Sequence, residues 1–566
     1  MRNSICAVRA ICAAALLLRC IASIAQDSRP IPSLSDTTRH QAQQIDQLRQ
    51  QLAPSPDALS ARAPHAADPL ALPVESPCFA IHIIEWRGAD AFPWLAREAP
   101  PEPVCIGPQG LRMLRDRVTR RLIARGYITS TAGIPEQDLS SGRLIVDILP
   151  GRIGAIRDEH GRIGWPATVF PQHADGLLNV RDLDQALENV RRLPGQIATA
   201  FDLVPGATLG DTDIVVRHPE AARRVRFIAT ADNAGLDATG RNQLGAIVAI
   251  DSPLRLYDQF VVTYNTDAAL RDKALGSQAK SAAWNVPAGY ASVSFGISEW
   301  TSRQTLSADA RGIAGPRLAQ RTRRYEAGLA FVPYRSSHGK TTLRLRLSRR
   351  EDRSWLGPTE LDVSRRDIVG YDVGVAHREK LAHGSIDAGL GMRGSVAGLS
   401  AHPGRVNDRP AWDGRYRVLT ATLGGDARFR VGPRRVGYRG ALLLQHAPGT
   451  APSTEFMQIG GRYTVRGFDG NHTLAGASGW TWRNELATGA FGANEIYAAL
   501  DAGRVAGAGA SEGAGRDGRT LVGAALGMRG GGRLLGYGVA LGVPLRKPAS
   551  LQTAAVALDL SLTARF

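Results

Sequence analysis

The feature that most limits the fold of this chain is its C-terminal part, residues 222–566, in which no segment has a convincing helical period of apolar residues. Short runs instead alternate between apolar and polar residues, and glycine, aspartate, asparagine and proline separate them. This pattern is typical of β-strands joined by turns. In the run TTLRLRLSRR, for example, Leu343, Leu345 and Leu347 share one face and the intervening arginines share the other.

The charged face of these strands indicates what kind of sheet they form. A soluble sandwich also alternates, but it does not commonly carry charge along one face of strand after strand. A membrane barrel with lipid outside and water inside requires that pattern, and its closure pairs every backbone group within the bilayer. At roughly 20 residues per strand and connection, residues 220–566 accommodate about 16 antiparallel strands. The sequence therefore predicts an all-β transmembrane barrel.

The N-terminus has the pattern of a secretory signal peptide over residues 1–25. Two arginines precede a short apolar run, and small residues follow it. Export separates this basic chain, of net charge +17, from cytosolic nucleic acid, and its arginines are scattered rather than clustered. We therefore expect no nucleic-acid partner.

Cysteine usage agrees with export. Three of the five cysteines lie in the predicted signal peptide, which leaves Cys78 and Cys105 as a pair in an oxidising compartment. The pattern favours a disulfide between them, which would close a loop of roughly 28 residues and stabilise the fold by about 3–4 kcal/mol. The alternative is two free, buried thiols.

Between the signal peptide and the barrel the sequence suggests four segments. Residues 26–52 contain a stretch from about 36 to 52 with an apolar stripe at helical spacing, formed by Ala42, Ile45, Leu48 and Leu52. This stretch is either a helix docked in polar surroundings or a partly disordered arm. Residues 53–75 form a linker rich in proline and alanine. Two small α/β modules follow, over 76–154 and 155–219, each with the order strand, helix, strand, strand. In the first module, the runs YITST and GRLIVDILPGRI are predicted to be the two strands after the helix.

Motifs for catalysis are missing from the sequence. The Gly-Lys-Thr at 339–341 lacks the first glycine of a phosphate-binding loop, since Tyr334 occupies that position. No histidine or cysteine cluster has metal-ligand spacing. We therefore predict a protein that is not an enzyme and that uses neither a cofactor nor a metal.

One arginine needs an explanation. Arg466 lies in the run QIGGRYTVRGFDGNHTL, which is too rich in glycine and polar residues to form a core. Inside a barrel this guanidinium would need a carboxylate partner.

Together these stretches make the chain resemble the two-partner secretion translocators, outer-membrane proteins of the haemolysin and filamentous-adhesin secretion and activation type. The resemblance runs from about residue 35 to Phe566. It rests on motifs in order: PCF, CIGPQGL and IARGYITS in the first module, LNVRDLDQALENVRRLPG in the second, and GGRYTVRGF, WRNEL, YAALDAGRV and a terminal TARF in the barrel.

The resemblance implies an architecture and a location. The two modules would be polypeptide-transport-associated (POTRA) domains in the periplasm, the barrel would be a 16-stranded pore in the outer membrane, and the helix at 36–52 would plug that pore. A loop around 455–475 would fold into the lumen and carry Val465, Arg466, Gly467 and Phe468. Arg466 would pair with Asp501 on the barrel wall, in a motif completed by Gly503.

The implied partners are a secreted exoprotein of haemolysin or adhesin type, outer-membrane lipid, and the barrel-assembly machinery, which would recognise the terminal Phe566. Three other interpretations stay open. The chain could be a barrel-insertion factor of the same superfamily, or a passive porin or adhesin with the modules as a binding platform. It could also activate a haemolysin as well as secrete it. Arg466 could likewise fix the lumen loop without a part in transport.

Overall fold

The structure is a computed structural model that describes residues 40–44, 58–60, 72–159, 163–220, 223–272, 274–306, 315–401, 405–406, 409–410, 414–507 and 519–566. The predicted signal peptide lies outside these residues, as do most of the predicted helix at 36–52 and most of the linker. None of the helices in the described part of the chain has the length and apolarity needed to cross a bilayer.

The first module packs one helix against a three-stranded sheet of order β2-β5-β4, in which β2 and β5 are parallel. Leu114, Val118 and Leu122 project from one face of the helix into a core formed with the alternate residues of β5. The bounds are Phe79–Ile81 (β1), Ile83–Arg87 (β2), Val104–Ile106 (β3), Pro108–Ala124 (α1), Thr131–Gly133 (β4) and Arg143–Leu149 (β5).

The second module repeats this plan with a sheet of order β6-β8-β7. Its helix begins after Asn179, whose side chain accepts a hydrogen bond from the backbone N–H of Arg181 and so caps the first turn. The bounds are Arg152–Asp158 (β6), Val180–Arg191 (α2), Ala200–Pro205 (β7) and Asp211–Arg217 (β8).

Some predicted strands have different bounds. The run GRLIVDILPGRI forms two strands because Pro150 and Gly151 interrupt it, and the second strand, β6, belongs to the next sheet. The second sheet therefore begins at Arg152, three residues before the expected module boundary. Of the run YITST only Thr131 lies in a strand.

The barrel closes by pairing of its first strand, β9, with its last, β29. Within the described residues, sixteen long antiparallel strands form the wall, with β16 as a two-residue addition, so the prediction of a 16-stranded barrel is confirmed. The wall strands are Val225–Asp232 (β9), Gln243–Asp251 (β10), Gln259–Asp267 (β11), Gly276–Ala288 (β12), Ala291–Thr305 (β13), Arg317–Arg335 (β14), Gly339–Leu356 (β15), Thr359–Glu360 (β16), Arg366–Leu381 (β17), Gly384–Ser395 (β18), Arg417–Val431 (β21), Arg434–His446 (β22), Ser478–Gly489 (β25), Glu495–Ala506 (β26), Thr520–Gly531 (β27), Leu535–Arg546 (β28) and Ala557–Arg565 (β29).

Two small hairpins lie in the connections between wall strands. They are Arg405–Val406 with Arg409–Pro410 (β19 and β20), and Met457–Ile459 with Leu474–Gly476 (β23 and β24). Short 3-10 helices occur at Pro93–Glu98, Leu139–Ser141, Pro166–Thr168, Pro194–Gln196, Asp362–Ser364, Ala397–Leu399 and Ser453–Glu455.

The second module sits against the barrel at the end where the wall strands are joined by short turns. Tyr257, in the turn between β10 and β11, is fully buried in the hydrophobic core of that module. On α2, Asp182 accepts a 2.6 Å hydrogen bond from the hydroxyl of Tyr290, and Glu188 pairs with Arg335 at 2.8 Å and with Lys340. These contacts fix which mouth of the barrel faces the modules.

Candidate functional site: the lumen loop and its arginine

The connection between β22 and β25 is long, spans residues 447–477, and folds back into the barrel. The β23–β24 hairpin is its stem, and its apolar side chains meet wall residues of β26 and β27 in a small core. That core contains Met457, Ile459, Val465, Phe468, Leu474, Val505, Leu521 and Leu551. Residues 457–477 of the loop, none of which is exposed, are therefore packed against the inner wall rather than projecting into solvent.

Arg466 at the tip of this loop is buried and makes a two-pronged contact with Asp501 on β26. Its Nε and Nη2 atoms donate to the two carboxylate oxygens at 2.7 and 2.8 Å, and its backbone N–H donates to the same carboxylate at 3.0 Å. Asp501 is completely buried. The structure thus brings together the two charged residues that the resemblance implied, in the forked geometry that only arginine provides.

A second carboxylate, which the sequence analysis missed, completes the site. Glu485 on β25 accepts from Nη1 of Arg466 at 2.8 Å and also pairs with Arg529 at 2.7 Å. Its position could have been found from alternation, because residues 483, 485 and 487 share one face of β25 and that face carries charge. Arg466 therefore bridges two acidic residues from neighbouring wall strands.

Glycines let the loop tip approach the wall this closely. Gly467 has φ +100°, and a Cβ there would lie 2.4 Å from the carbonyl oxygen of Val543. On the wall, a Cβ at Gly523 would lie 2.0 Å from the carbonyl oxygen of Arg466, and one at Gly542 would lie 2.7 Å from the Cα of Gly467. Side chains at these positions would push the tip away from its carboxylates.

The other predicted residues flank this contact. Val465 is fully buried, and Phe468 is 2 % exposed. Gly503, two residues beyond Asp501, faces both Val465 and Ile459, since a Cβ there would lie 3.0 Å from the Cγ2 of Val465. The four motif residues, Asp501 and Gly503 thus form one contiguous cluster with Gly523 and Gly542.

A second arginine of the loop ties it to the strands that close the barrel. Arg462 donates to Asp559 on β29 at 2.7 Å and to the side chain of Asn233, which follows β9. The next loop residue, Tyr463, has its ring 5.9 Å from that of His40.

His40 belongs to the described part of the predicted plug helix. Residues 40–44 are helical and lie inside the barrel, where Gln41 donates to the carbonyl of Thr301 at 3.0 Å and Gln44 to that of Ala234 at 3.3 Å. Ala42, of the predicted apolar stripe, packs against Ala279 and Trp300 of the inner wall. The remaining residues of the stripe, Ile45, Leu48 and Leu52, lie outside the described residues.

The lumen between the loop tip and the mouth that faces the modules is a wide, basic cavity of about 1390 Å³. Arg466 and Glu485 line the end of the cavity that is deep in the barrel. His383, in the turn between β17 and β18, lines the end at the mouth that faces the modules. More cationic than anionic side chains line it: Arg428, Arg430, Arg435, Arg439, Arg466, Arg483 and Arg529 against Asp387, Asp426, Glu485 and Glu495.

The remaining predicted positions lie outside the lumen. In the first module, Cys78, the residue before β1, forms a disulfide with Cys105 in β3. Phe566 ends the chain beside the seam of the barrel, where its backbone N–H donates to Phe227 at 2.9 Å. Its ring lies 5.8 Å from that of Phe227 and stays partly exposed.

Two carboxyl groups on α2, the helix of the second module that contacts the barrel, have raised pKa values. Burial raises the pKa of the Asp182 carboxyl above its ordinary 3.8, although the hydrogen bond from Tyr290 partly opposes that shift. Burial also raises the pKa of Asp184, despite its ion pair with Arg181 at 3.0 Å.

Comparison with known proteins gives this architecture its context. Residues 210–530 match the family described as haemolysin secretion/activation protein ShlB/FhaC/HecB. Residues 79–151 match the ShlB-type POTRA domain, and residues 152–205 match a POTRA domain. The chain belongs to this family. Its two modules are accordingly the first and second POTRA domains.

Individual relatives are similar to this chain in sequence along most of its length. Outer membrane transporter CdiB-2 of Burkholderia pseudomallei is 31% identical over 530 residues, which cover 88% of both chains. Hemolysin transporter protein ShlB of Serratia marcescens is 26% identical over 80% of this chain and 79% of its own. The solved structure of CdiB from Escherichia coli superposes with a TM-score of 0.83 at 26% identity and covers 95% of this chain and all of that one.

Several expectations are thereby confirmed. The protein is a two-partner secretion transporter of the outer membrane, with its POTRA domains in the periplasm. The family is one of secretion channels, not of known enzymes. Because the POTRA domains lie at the mouth with short turns, the loops at the other end, which include the start of the lumen loop, lie on the extracellular side.

Proposed function

We propose that this chain recognises an unfolded exoprotein of haemolysin or adhesin type in the periplasm and secretes it through its barrel. The observation that carries the proposal is the arrangement of parts along one axis. Periplasmic POTRA domains lead to a wide cavity, and the loop tip with Arg466 lies at the inner end of that cavity. An extended chain passing this way would meet the loop and the plug helix in turn.

Capture of the client would use the sheet edge of the second POTRA domain. Strand β7 has a strand partner on only one side within the described residues, because the sheet order is β6-β8-β7. Val204 near its end is partly exposed, and Trp165 and Leu209 of the same domain are largely exposed. An extended segment can add to such an edge through backbone hydrogen bonds, and apolar side chains nearby would add affinity.

The driving force would come from the client itself. The sequence has no nucleotide-binding motif, and folding of the client outside the cell removes the unfolded form and pulls the transport equilibrium outward. A client that cannot fold should therefore stall in the barrel.

The proposal extends to the biogenesis of the transporter. The partly exposed Phe566 at the barrel seam would be read by the barrel-assembly machinery, and the outward apolar side chains would contact outer-membrane lipid.

The test is deletion of this chain from its own bacterium. We expect a large secreted β-solenoid encoded beside it to become trapped in the cell, and secretion to return with the wild-type chain. Immunoblots of the medium and of periplasmic fractions would measure both. Normal secretion of that product by the deletion strain would overturn the proposal, and assaying the secreted product for haemolysis would show whether activation accompanies transport.

A further inference from the structure

The barrel wall is much taller on one side than on the other. Strands β13, β14, β15 and β17 contain 15, 19, 18 and 16 residues, whereas β26 to β29 contain 12, 12, 12 and 9. A strand needs only about 9–11 residues to cross a bilayer. Because the short periplasmic turns of the tall side contact the second POTRA domain, the surplus length projects on the extracellular side.

The outer face of this tall side changes from apolar to charged at one level. Below it, most outward side chains on neighbouring strands are apolar, as Ile297, Leu329 and Leu347 show. The first row below the boundary also contains Tyr325 and Arg349 beside Ile297. At the boundary one continuous row of paired residues crosses five strands: Lys280, Glu299, Arg323, Glu351 and Asp367. Such a switch marks where the hydrocarbon of the outer leaflet ends and its headgroups begin.

This boundary row is electrically balanced within the protein. Arg323 pairs with Glu299 at 2.7 Å. Arg349, one row below, pairs with Asp367 at 2.8 Å and with Glu351 at 3.3 Å. Together, the row and Arg349 contain three cations and three carboxylates, so their net charge is zero. The cations are Lys280, Arg323 and Arg349, and the carboxylates are Glu299, Glu351 and Asp367.

The rows immediately above are not balanced. Arg303, Arg321 and Arg353 are exposed on the same outer face, and none of them forms an ion pair with a carboxylate in the described part of the chain. Arg321 and Arg353 are direct cross-strand partners. Like charges directly opposite each other on a sheet are destabilising, so this pair would gain most from an anion bound between its members.

We propose that Arg303, Arg321 and Arg353 bind the phosphate groups of an anionic lipid headgroup in the outer leaflet. The patch faces outward from the barrel just above the apolar band, which is the level that headgroups occupy. Guanidinium groups bind phosphate oxygens through paired hydrogen bonds. Trp355 borders the patch, with Arg321 5.7 Å from its ring centroid, and presents the amphipathic ring that suits an interface.

The test measures lipid retained by the purified full chain in neutral-lipid nanodiscs that contain bisphosphorylated lipid A. After exchange into neutral detergent, we expect native mass spectrometry to detect retained lipid A on the wild type. Substitution of all three arginines (Arg303→Gln, Arg321→Gln, Arg353→Gln) should reduce retention about tenfold, since each basic group near an anionic surface adds to the affinity.

A matched control removes three arginines from the lumen face instead (Arg344→Gln, Arg428→Gln, Arg430→Gln). This control loses the same charge, and we expect it to retain lipid A like the wild type. If the outer triple variant does not fold, as judged by its heat-dependent gel mobility, Arg321→Gln alone should still reduce retention about threefold.

Three outcomes would overturn the proposal. Equal retention by the outer variant and the wild type would show that these arginines do not bind the lipid. Equal retention of dephosphorylated lipid A would show that phosphate is not recognised. Full displacement of lipid A by millimolar pyrophosphate would show a site for free anions rather than for a lipid headgroup.

Discussion

The lumen loop and the second POTRA domain are both attached to the barrel, but by different kinds of contact. The loop tip is held by a buried arginine shared between two wall carboxylates and by close backbone approach at glycines. The POTRA domain is held by an aromatic side chain of the barrel, Tyr257, which belongs to the core of that domain, and by ion pairs such as that of Glu188 on α2 with Arg335 on β14.

This difference indicates which of the two contacts with the barrel can open more readily during secretion. Water can replace an ion pair in a wet lumen at small net cost, since forming the pair already required desolvation. Water cannot replace apolar burial in the same way. We therefore expect the loop to be the part that moves during secretion and the second POTRA domain to stay in place.

Breaking the loop contact should have the largest effect. Arg466→Ala leaves Asp501 and Glu485 buried without their shared cation, at a cost of about 3–5 kcal/mol to the docked loop. We expect the variant to insert in the outer membrane and to secrete little client. Membrane fractionation and client in the medium measure the two properties separately, and normal secretion would assign Arg466 to loop structure alone.

Two further substitutions sharpen this result. Arg466→Lys should be partly defective, because an ammonium group cannot reproduce the forked contact with Asp501. Arg439→Ala removes another arginine near Glu485, at 3.5 Å, but one whose side chain is 63% exposed. Exposed ion pairs contribute little, so this control should secrete like the wild type.

The POTRA attachment should respond to loss of packing rather than of charge. Tyr257→Ala removes a fully buried ring and should destabilise the second POTRA domain by about 3–5 kcal/mol. Limited proteolysis between that domain and β9 would detect it. Tyr257→Phe keeps the ring and loses only the 3.2 Å hydrogen bond to His218, so it should cost about 1 kcal/mol. Equal sensitivity of the two variants would mean that the hydrogen bond, not the ring, holds the domain.

A smaller effect should follow from crowding the loop without touching its charges. Gly523→Ala would place a methyl group 2.0 Å from the carbonyl oxygen of Arg466, and the overpacking should cost about 1–3 kcal/mol. We expect more frequent opening of the barrel in planar-bilayer recordings. Gly489→Ala, at a wall glycine with open space around it, is the matched control. Equal conductance of both variants would contradict a docking role for the glycine groove.

The same two attachments show what the sequence could and could not predict. Alternation of inward and outward residues was enough to predict the barrel, because the period of two follows from strand geometry alone. The count of strands came from the length of the segment, at roughly 20 residues per strand and connection. Short motifs identified Arg466, Asp501 and Gly503 as site residues. They did not identify Glu485, Gly523 and Gly542, because the role of these residues depends on which wall strands the loop contacts. Tyr257 was missed for a similar reason, since nothing local marks a turn residue that completes the core of another domain.

Protonation should change the POTRA attachment only slightly. The pKa of Asp182 is raised in the folded state, mainly by burial. The folded protein therefore binds this proton more tightly than the unfolded chain. The stability that results is present at low pH and is lost as the pH rises from 3.8 through the pKa of the folded state.

The substitution Asp182→Asn keeps an oxygen that accepts the hydrogen bond from Tyr290, and it removes the loss of stability with rising pH. We expect the variant to be slightly more stable than the wild type at neutral pH, with a flatter thermal-melting profile against pH. Some slope should remain because burial also raises the pKa of Asp184. A variant less stable than the wild type at neutral pH would show that the charge of Asp182 contributes to the attachment.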